Sequence, residues 1–498
     1  MSTPLPVSNV SRRGFLKLGG AAALFAGWQA SSSKARAASF PTAATDPVYH
    51  FLNRISWNVR PEELAHAKQV GIAAYLEEQL APDTLFRGKK VSYPSILDLD
   101  RTRLQRIKNN AGETCRIALI TGMIARAVNS PAQLLERMVE FWADHFNIAS
   151  DGLETDVVDY QRTVIRRNAL TNFHDLLVAT AKHPAMLYYL DNASSVAAHP
   201  NQNYARELME LHTLGVNNGY VEADVNEVAR AFTGWTVDDS QPGGFRFDAA
   251  NHDTDPKTVF GNPLPGGRGI EDGMDVLNLL ASHPNTAKFV CGKLCVRFIS
   301  DTPPQSIVNT LATVWSQNNG DIRAVLRALF LSAEFAQAVG LKLRRPLDFV
   351  IGSLRATTTT FTDFNFLNDL LDHLDQVPYN WHPPNGYPDV AGKWANSNGL
   401  LQRWNFSQTI TETALNSHNS GMRTGLLRRI GKPLTVGQLV DNLATVLFGL
   451  TLDSDVRVQL IAFVTPNGAD TALTKTLLTQ KLGSLAGLML SAPMFQWR

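Results

Sequence analysis

The helical period that runs through most of the chain restricts its fold more than any other feature. "SPAQLLERMVEFWADHF" (130–146) shows it best: Met138, Phe141, Trp142, His145 and Phe146 recur at i, i+3, i+4, i+7 and i+8, one apolar stripe on one helix face. Ser130 stands where an N-cap belongs, and Pro131 at the first helical position, where its missing N–H costs nothing. "PEELAHAKQVGIAAYLEEQL" opens the same way at Pro61, with acids in its first turn. Related patterns predict helices around 271–281, 284–299, 304–317, 320–337, 346–360, 397–416 and 470–490. Extended structure is scarce. "GFRFDAANHDTDPKTVFG" (244–261) predicts one small hairpin, with Phe245, Phe247 and Val259 alternating across it. The expected fold is mainly α: one large multi-helix globular domain over 46–498 with a small β-hairpin near 244–261. Two loops break it, 236–270 and 378–396, and long ordered loops in a helical body are often functional.

The N-terminus reads differently. "SRRGFLK" (11–17) precedes an apolar run over 18–30, and Ala35-Arg36-Ala37 supplies a small-residue cleavage signal. The run is too short to span a bilayer, which needs about 20 apolar residues. The paired Arg12 and Arg13 followed by Phe-Leu-Lys resemble a twin-arginine export signal. Residues 1–37 are therefore expected to be a signal peptide and 38–45 a linker, with the mature protein exported folded to the periplasm or beyond. Charge agrees with that division. Five of the 46 Lys and Arg lie in 1–37 with no acid, leaving 41 basic against 45 acidic residues in the rest. No basic face is readable, which argues against nucleic acid as a partner. The three cysteines, Cys115, Cys291 and Cys295, are no disulfide framework; the last two read as buried small hydrophobes on one helix face.

Chemistry-bearing residues gather in five places. In "NYARELMELHTLG", Tyr204, Leu208, Leu211, His212 and Gly215 share an apolar stripe at 100° per residue, so His212 points to the core and Glu207 and Glu210 away from it. Arg206 and Glu210, at i and i+4, can pair on the surface. In "GYVEADVNEVARAFTGW", Asp224 followed by Glu227 reads as a capping box that explains both carboxylates without chemistry. "FWADHF" puts His145 beside Trp142 on the apolar stripe, where it is either a packed core residue or a ligand. "NHDTDPK" crowds His252, Asp253, Asp255 and Lys257 into a loop, as either a cation site with acid and base groups or a polar turn. In 378–396, Trp381, His382, Tyr387 and Trp394 offer aromatic faces that suit sugars, or stiffen a packed loop. No G-x-S-x-G, H-E-x-x-H, P-loop or G-x-G-x-x-G motif is present.

"NYARELMELHTLGV…GY…DVNEVARAFTGW", "HDTDPKTVFG", "HPNTAKFVCGKLCVRFISDTPP", "RRPLDFVIGSLRA", "HPPNGYP…GKWANSNGLLQRWN" and the terminal "LSAPMFQWR" follow in this order. Together they resemble the large exported bacterial family called domain of unknown function 1800, over nearly all of 45–498. The resemblance implies one mostly helical domain with no established activity. It implies motif roles for Arg206, Glu207, Glu210, Thr213, Gly215, Arg230, Gly234, Trp235, His252, Asp253, Lys257, Arg355 and Arg403. It also suggests an exported partner with a phosphatase- or sulfatase-like fold, because the two families often occur side by side. Gln202 departs from the pattern, which has Glu there; a catalytic or metal-binding role for that carboxylate would be impaired in this chain.

Two functions follow as expectations. The first is an exported hydrolase acting on an envelope or extracellular polymer such as a polysaccharide. Glu207, Glu210 and Lys257 would be catalytic, and His145, His212, His252 and Asp253 would hold a divalent metal ion. Arg206, Trp235, Trp381, His382, Tyr387 and Trp394 would bind the ligand, a glycan in this reading. The second is a non-catalytic helical scaffold or binding module working with another exported protein.

Overall fold

The computed structural model describes residues 46–86, 102–240, 243–361, 364–416, 422–423 and 425–498. Residues 1–37, expected to be a signal peptide, and 38–45, expected to be a linker, lie outside these residues. The protein is a mainly α assembly of many short and medium helices with three two-stranded antiparallel ribbons. Its buried apolar side chains form one cluster running from Tyr49 to Phe495. Among the described residues no helix is long and apolar enough to cross a membrane.

The helices form for the local reasons their sequences suggest. Asp46 caps Pro47–Ile55 by accepting from the Val48 and Tyr49 amides, and Pro61–Val70 carries Glu62 and Glu63 in its first turn. The helix Gln133–His145 buries Met138, Phe141, Trp142 and His145 at 1% exposure or less, as the stripe requires. Its start lies two residues later than Pro131. Ser130 instead ends the preceding helix Gly112–Asn129, and the Gln133 amide donates to the Ala127 and Ser130 carbonyls left open there. The predicted 320–337 helix is two, Ile322–Phe330 and Ala333–Ala336, because Ser332 caps the second.

The single hairpin expected over 244–261 is two ribbons. Trp235–Val237 pairs with Phe245–Phe247, and Lys257–Val259 pairs with Asn262–Leu264, so Phe245 and Val259 never face each other. The second ribbon turns on Phe260 and Gly261, both at positive φ (50° and 74°), the geometry of the tightest hairpin loop. The capping box also shifts. The helix Glu222–Ala231 begins before Asp224, whose carboxylate reaches back to the Val221 amide and across to the Phe260 amide. Glu227 accepts from Thr258 N at 2.9 Å, so both acids tie this helix to the ribbon.

Buried arginines hold the larger frame. Arg355 donates to the Asn58 and Val128 carbonyls (2.9 and 2.8 Å) and to Glu63, joining three separated segments. Arg403 donates to Gln496 Oε1 at 2.7 Å. Asp348, itself 2% exposed at its side chain, sits between Arg137 and Arg498, while the Lys342 and Arg498 backbones pair with each other. Cys115, Cys291 and Cys295 are free and buried; burial pushes the Cys295 thiol up to about 12, leaving it unreactive.

The substitution Asp348→Ala is expected to cost about 3–5 kcal/mol, because it strands two buried guanidiniums. Asp441→Ala, which removes the exposed partner of Arg457, is expected to cost under about 1 kcal/mol. Urea unfolding of both variants at neutral pH measures the contrast.

Candidate active site

The helix Pro284–Phe298 has two faces. Val290, Cys291, Leu294 and Phe298 enter the core, whereas Phe289, Gly292, Lys293, Val296 and Arg297, again at i, i+3, i+4, i+7 and i+8, line an open cleft of about 780 Å³. The end of the 133–145 helix contributes Phe141, Asp144 and His145 to the cleft, and the 378–396 loop contributes Trp381, Asn385, Gly386, Tyr387, Pro388, Asp389 and Lys393. Its volume falls within the roughly 300–1,000 Å³ typical of ligand sites.

The loop is firmly anchored. Asn147 donates to the Trp381 and Pro383 carbonyls, both at 2.8 Å, and Tyr189 donates to the His382 carbonyl. Tyr387 donates to Val377 O at 2.7 Å, and Trp394 to Pro388 O at 2.8 Å. Gly386, at φ 70°, lies so close to the 133–145 helix that a Cβ there would stand 2.0 Å from Asp144 O.

Three carboxylates and two guanidiniums form one cluster, of which Asp144, Arg297 and Asp389 line the cleft while Glu140 and Arg345 are buried. Arg297 donates to Asp389 at 2.7 Å, to Asp144 at 3.2 Å and to Glu140. Arg345 donates to Asp144 at 2.8 Å and to Glu140, and lies 3.4 Å from Asp389. Burial and neighbouring charges act unequally on the three carboxylates, so they do not ionise alike. Burial, then the neighbouring Glu140 charge, pushes the Asp144 carboxyl up to about 7. Asp389 is also raised by burial, but Arg297, Arg345 and Lys342 outweigh this and bring it down to about 2. Both carboxylates reach the cleft, with side chains 17% and 18% exposed. One turn before Arg297, Lys293 makes no hydrogen bond or ion pair among the described residues; burial draws its ammonium down to about 8. A carboxylic acid, a carboxylate and a free ammonium thus share one cleft near neutral pH.

The structure separates the residues singled out in the sequence. Trp381 and Tyr387 line the cleft with ring centroids 4.9 Å apart. Trp394 is buried behind them and its indole supports the loop; His382 points to solvent, 3.7 Å from Asp151. His145 borders the cleft and donates from Nε2 to His212 O at 3.0 Å, which leaves Nδ1 as its unprotonated nitrogen. Burial keeps both imidazoles neutral, drawing His212 down to about 3 and His145 well below its ordinary value.

Arg206, Glu207, Glu210, His212, Trp235, His252, Asp253 and Lys257 do not line the cleft. The helix Gln202–Glu207 continues as a π-helical turn over Leu208–Thr213, so the uniform 100° spacing fails there. Arg206 pairs with Glu222 at 2.7 Å instead of with Glu210, and Glu210 accepts from Tyr220 at 3.3 Å. Glu207 is half-buried, its carboxyl raised by burial and by Glu210. Gln202 donates to Asn226 at 2.6 Å, a hydrogen-bonding role on the surface.

The 252–257 cluster is an ion-paired knot. Arg230 holds Asp253 at 2.7 and 3.1 Å, Lys257 reaches Asp272 at 2.8 Å, and His252 donates to Thr233 O at 2.8 Å. Trp235 is fully buried against Gly273, where a Cβ would meet its ring at 2.6 Å, and it offers no face to a ligand. Among the described residues no three His, Cys, Asp or Glu side chains gather as a group that could hold a metal ion. Among the described residues His145 and His212 are neutral buried imidazoles, while His252 and Asp253 belong to a separate ion-paired turn, so the four expected ligands are not gathered as one group.

Asp144, Lys293, Arg297 and Asp389 were not singled out in the sequence. A signal existed: two cations recur at i and i+4 on the stripe opposite the helix's apolar core face, and an acid sits inside "FWADHF".

Fold and cleft together define a large helical protein with an acid–base cleft walled by aromatic rings. It belongs to the family described as protein of unknown function (DUF1800), whose model matches residues 50–497. No curated protein and no solved structure matches it.

Gly386→Ala forces a methyl group into the Asp144 backbone and holds alanine at positive φ. It is expected to destabilise the protein by about 1–3 kcal/mol or to release the loop. Limited proteolysis should then cut within 378–396 at least several times faster than in the parent protein.

Proposed function

We propose that this protein is an exported, carboxylate-dependent hydrolase acting on an envelope or extracellular polysaccharide, with its chemistry in the 144–297–389 cleft. The observation that carries the reading is the split between Asp144 and Asp389. One carboxyl is pushed up to about 7 and the other held down to about 2, on one cleft floor, by their unequal share of Arg297, Arg345 and Glu140. A raised and a lowered carboxyl side by side are what glycoside hydrolysis requires. Asp144 gives its proton to the leaving glycosidic oxygen as the C–O bond breaks. Ionised Asp389 takes a proton from the water that supplies the new hydroxyl, or stabilises positive charge developing on the sugar ring. Trp381 and Tyr387 present rings on which sugars stack.

The pH dependence follows from the signs. An acid with its pKa at about 7 is protonated below that pH, so the rate should be level on the acidic side and fall about tenfold per pH unit above 7. Asp144→Asn keeps the hydrogen-bonding geometry but holds no transferable proton; it is expected to lower kcat by about 10²–10⁴. Release of reducing ends from a panel of polysaccharides, for the parent and the variant between pH 5 and 9, measures both effects. Parent activity that rises through pH 7, or survives in the variant, sinks the reading.

Export is the other half of the proposal and rests on Arg12-Arg13, the short apolar run and Ala35-Arg36-Ala37. Replacing both arginines by lysine is expected to leave the protein in the cytoplasm, as cell fractionation and blotting would show.

A second reading keeps one specific observation. Val216 and Val221 are 57% and 63% exposed just after the π-helical segment, and nearby Arg206 and Glu210 already have surface partners. Such a face suits a binding module docked on another exported protein, of the phosphatase- or sulfatase-like kind. Full cleft activity in a Val216→Asp, Val221→Asp double variant would separate that surface from the chemistry.

A further inference from the structure

The cations of the cleft are distributed unevenly. Its lining holds Lys288, Lys293, Arg297 and Lys393 against only Asp144 and Asp389. Arg297 is wholly engaged with carboxylates, and both aspartates are held by Arg297 and Arg345. Lys288, Lys293 and Lys393 make no side-chain hydrogen bond or ion pair among the described residues. For Lys288 and Lys393, which are exposed, that is ordinary behaviour. Lys293 differs, because its side chain is only partly exposed and lies against Phe289, with the ammonium 5.7 Å from the ring centroid.

Among the described residues the two buried lysines are both paired, whereas partly exposed Lys182, like Lys293, lies against aromatic rings without a hydrogen bond or ion pair. Lys257 reaches Asp272 at 2.8 Å, and Lys342 reaches Asp301 at 2.6 Å. A sheltered ammonium without a partner is costly unless an anion arrives. The other side of the cleft presents the apolar faces of Trp381 and Tyr387. A ligand that satisfies both sides carries anionic groups on an otherwise stackable ring. We propose that the cleft takes an acidic carbohydrate, its sugar rings on Trp381 and Tyr387 and its carboxylate or sulfate groups against Lys293, with Lys288 and Lys393 at the entrance.

This names the substrate class for the hydrolase reading and rests on that reading's choice of cleft. Three probes of equal length test it by titration calorimetry on the full mature chain. They are a galacturonate hexamer, its fully methyl-esterified form and a carrageenan hexamer that bears sulfate but no carboxylate. The expected result is that at least one acidic hexamer binds tenfold or more tighter than the neutral one, and that the preference weakens as salt rises. Whether the galacturonate or the carrageenan binds tighter identifies the anion.

Lys293→Met keeps the apolar stem and removes the charge. It is expected to weaken the acidic hexamer at least tenfold while leaving the neutral one within twofold, and Lys293→Arg should restore most of the loss. Unchanged thermal unfolding shows that Lys293→Met still folds; if it does not, Lys288→Gln with Lys393→Gln should lower the acidic preference about threefold or more. Equal binding of neutral and acidic hexamers, or no change in either set of variants, overturns the proposal. Tight binding of an acidic hexamer without cleavage upholds it and counts against hydrolysis. Cleavage of neutral glycans alone upholds hydrolysis and sinks the acidic specificity.

Discussion

The cluster of Arg297 and Arg345 with Glu140, Asp144 and Asp389 is the interaction on which the cleft depends. Its members come from the 133–145 helix, the end of the 284–298 helix, the N-cap of the helix Pro346–Thr357 and the 378–396 loop. Withdrawing such charges from water costs several kcal/mol for each ion, and the cost is offset only when every partner is in place. Docking these segments is therefore close to all-or-none. The same logic recurs at Asp348, which brings Arg137 and the terminal Arg498 together and ties the chain's end into its middle.

Burial, then the Glu140 charge, falls hardest on Asp144, while Asp389 keeps its charge among Arg297, Arg345 and Lys342. A structural ion cluster thereby leaves a carboxylic acid facing the cleft near neutral pH. Lys293, one helical turn from Arg297, faces the same space from the cationic side without a carboxylate of its own. Frame and chemistry share the same atoms, so changes at Arg297 or Arg345 should disturb both at once.

Much of the family pattern, by contrast, describes the frame. Arg355 and Arg403 are fully buried and bridge distant segments. Gly234 lets the backbone approach Asp248, whose carbonyl would stand 2.5 Å from a Cβ, and Gly215 makes room for the Phe289 ring at 2.9 Å. His252, Asp253 and Lys257 read as a crowded polar loop in the sequence, but Arg230 and Asp272 turn them into a knot. No periodicity could reveal this, since the neutralising partners come from the helices Glu222–Ala231 and Ile270–Ser282. Where the helix is π rather than α, as at Leu208–Thr213, even a sound periodicity argument assigned the wrong partner to Arg206.

By itself the sequence determined the helical class, the positions of helices such as Ile270–Ser282, Pro284–Phe298 and Gln305–Gln317, the buried stripe of Met138, Phe141, Trp142 and His145, and the burial of Cys291 and Cys295. These are decided one element at a time, by whether a side chain recurs on a face that must leave water. It also marked the 378–396 loop by composition, and Trp381 and Tyr387 do line the cleft. Only the tertiary structure decided that Asp144, Lys293, Arg297 and Asp389 share that cleft while Glu207 and His252 do not. Convergence of charges from distant segments is a many-body outcome of packing. The ionisation of each group follows from its neighbours, and no stretch of sequence contains those neighbours together.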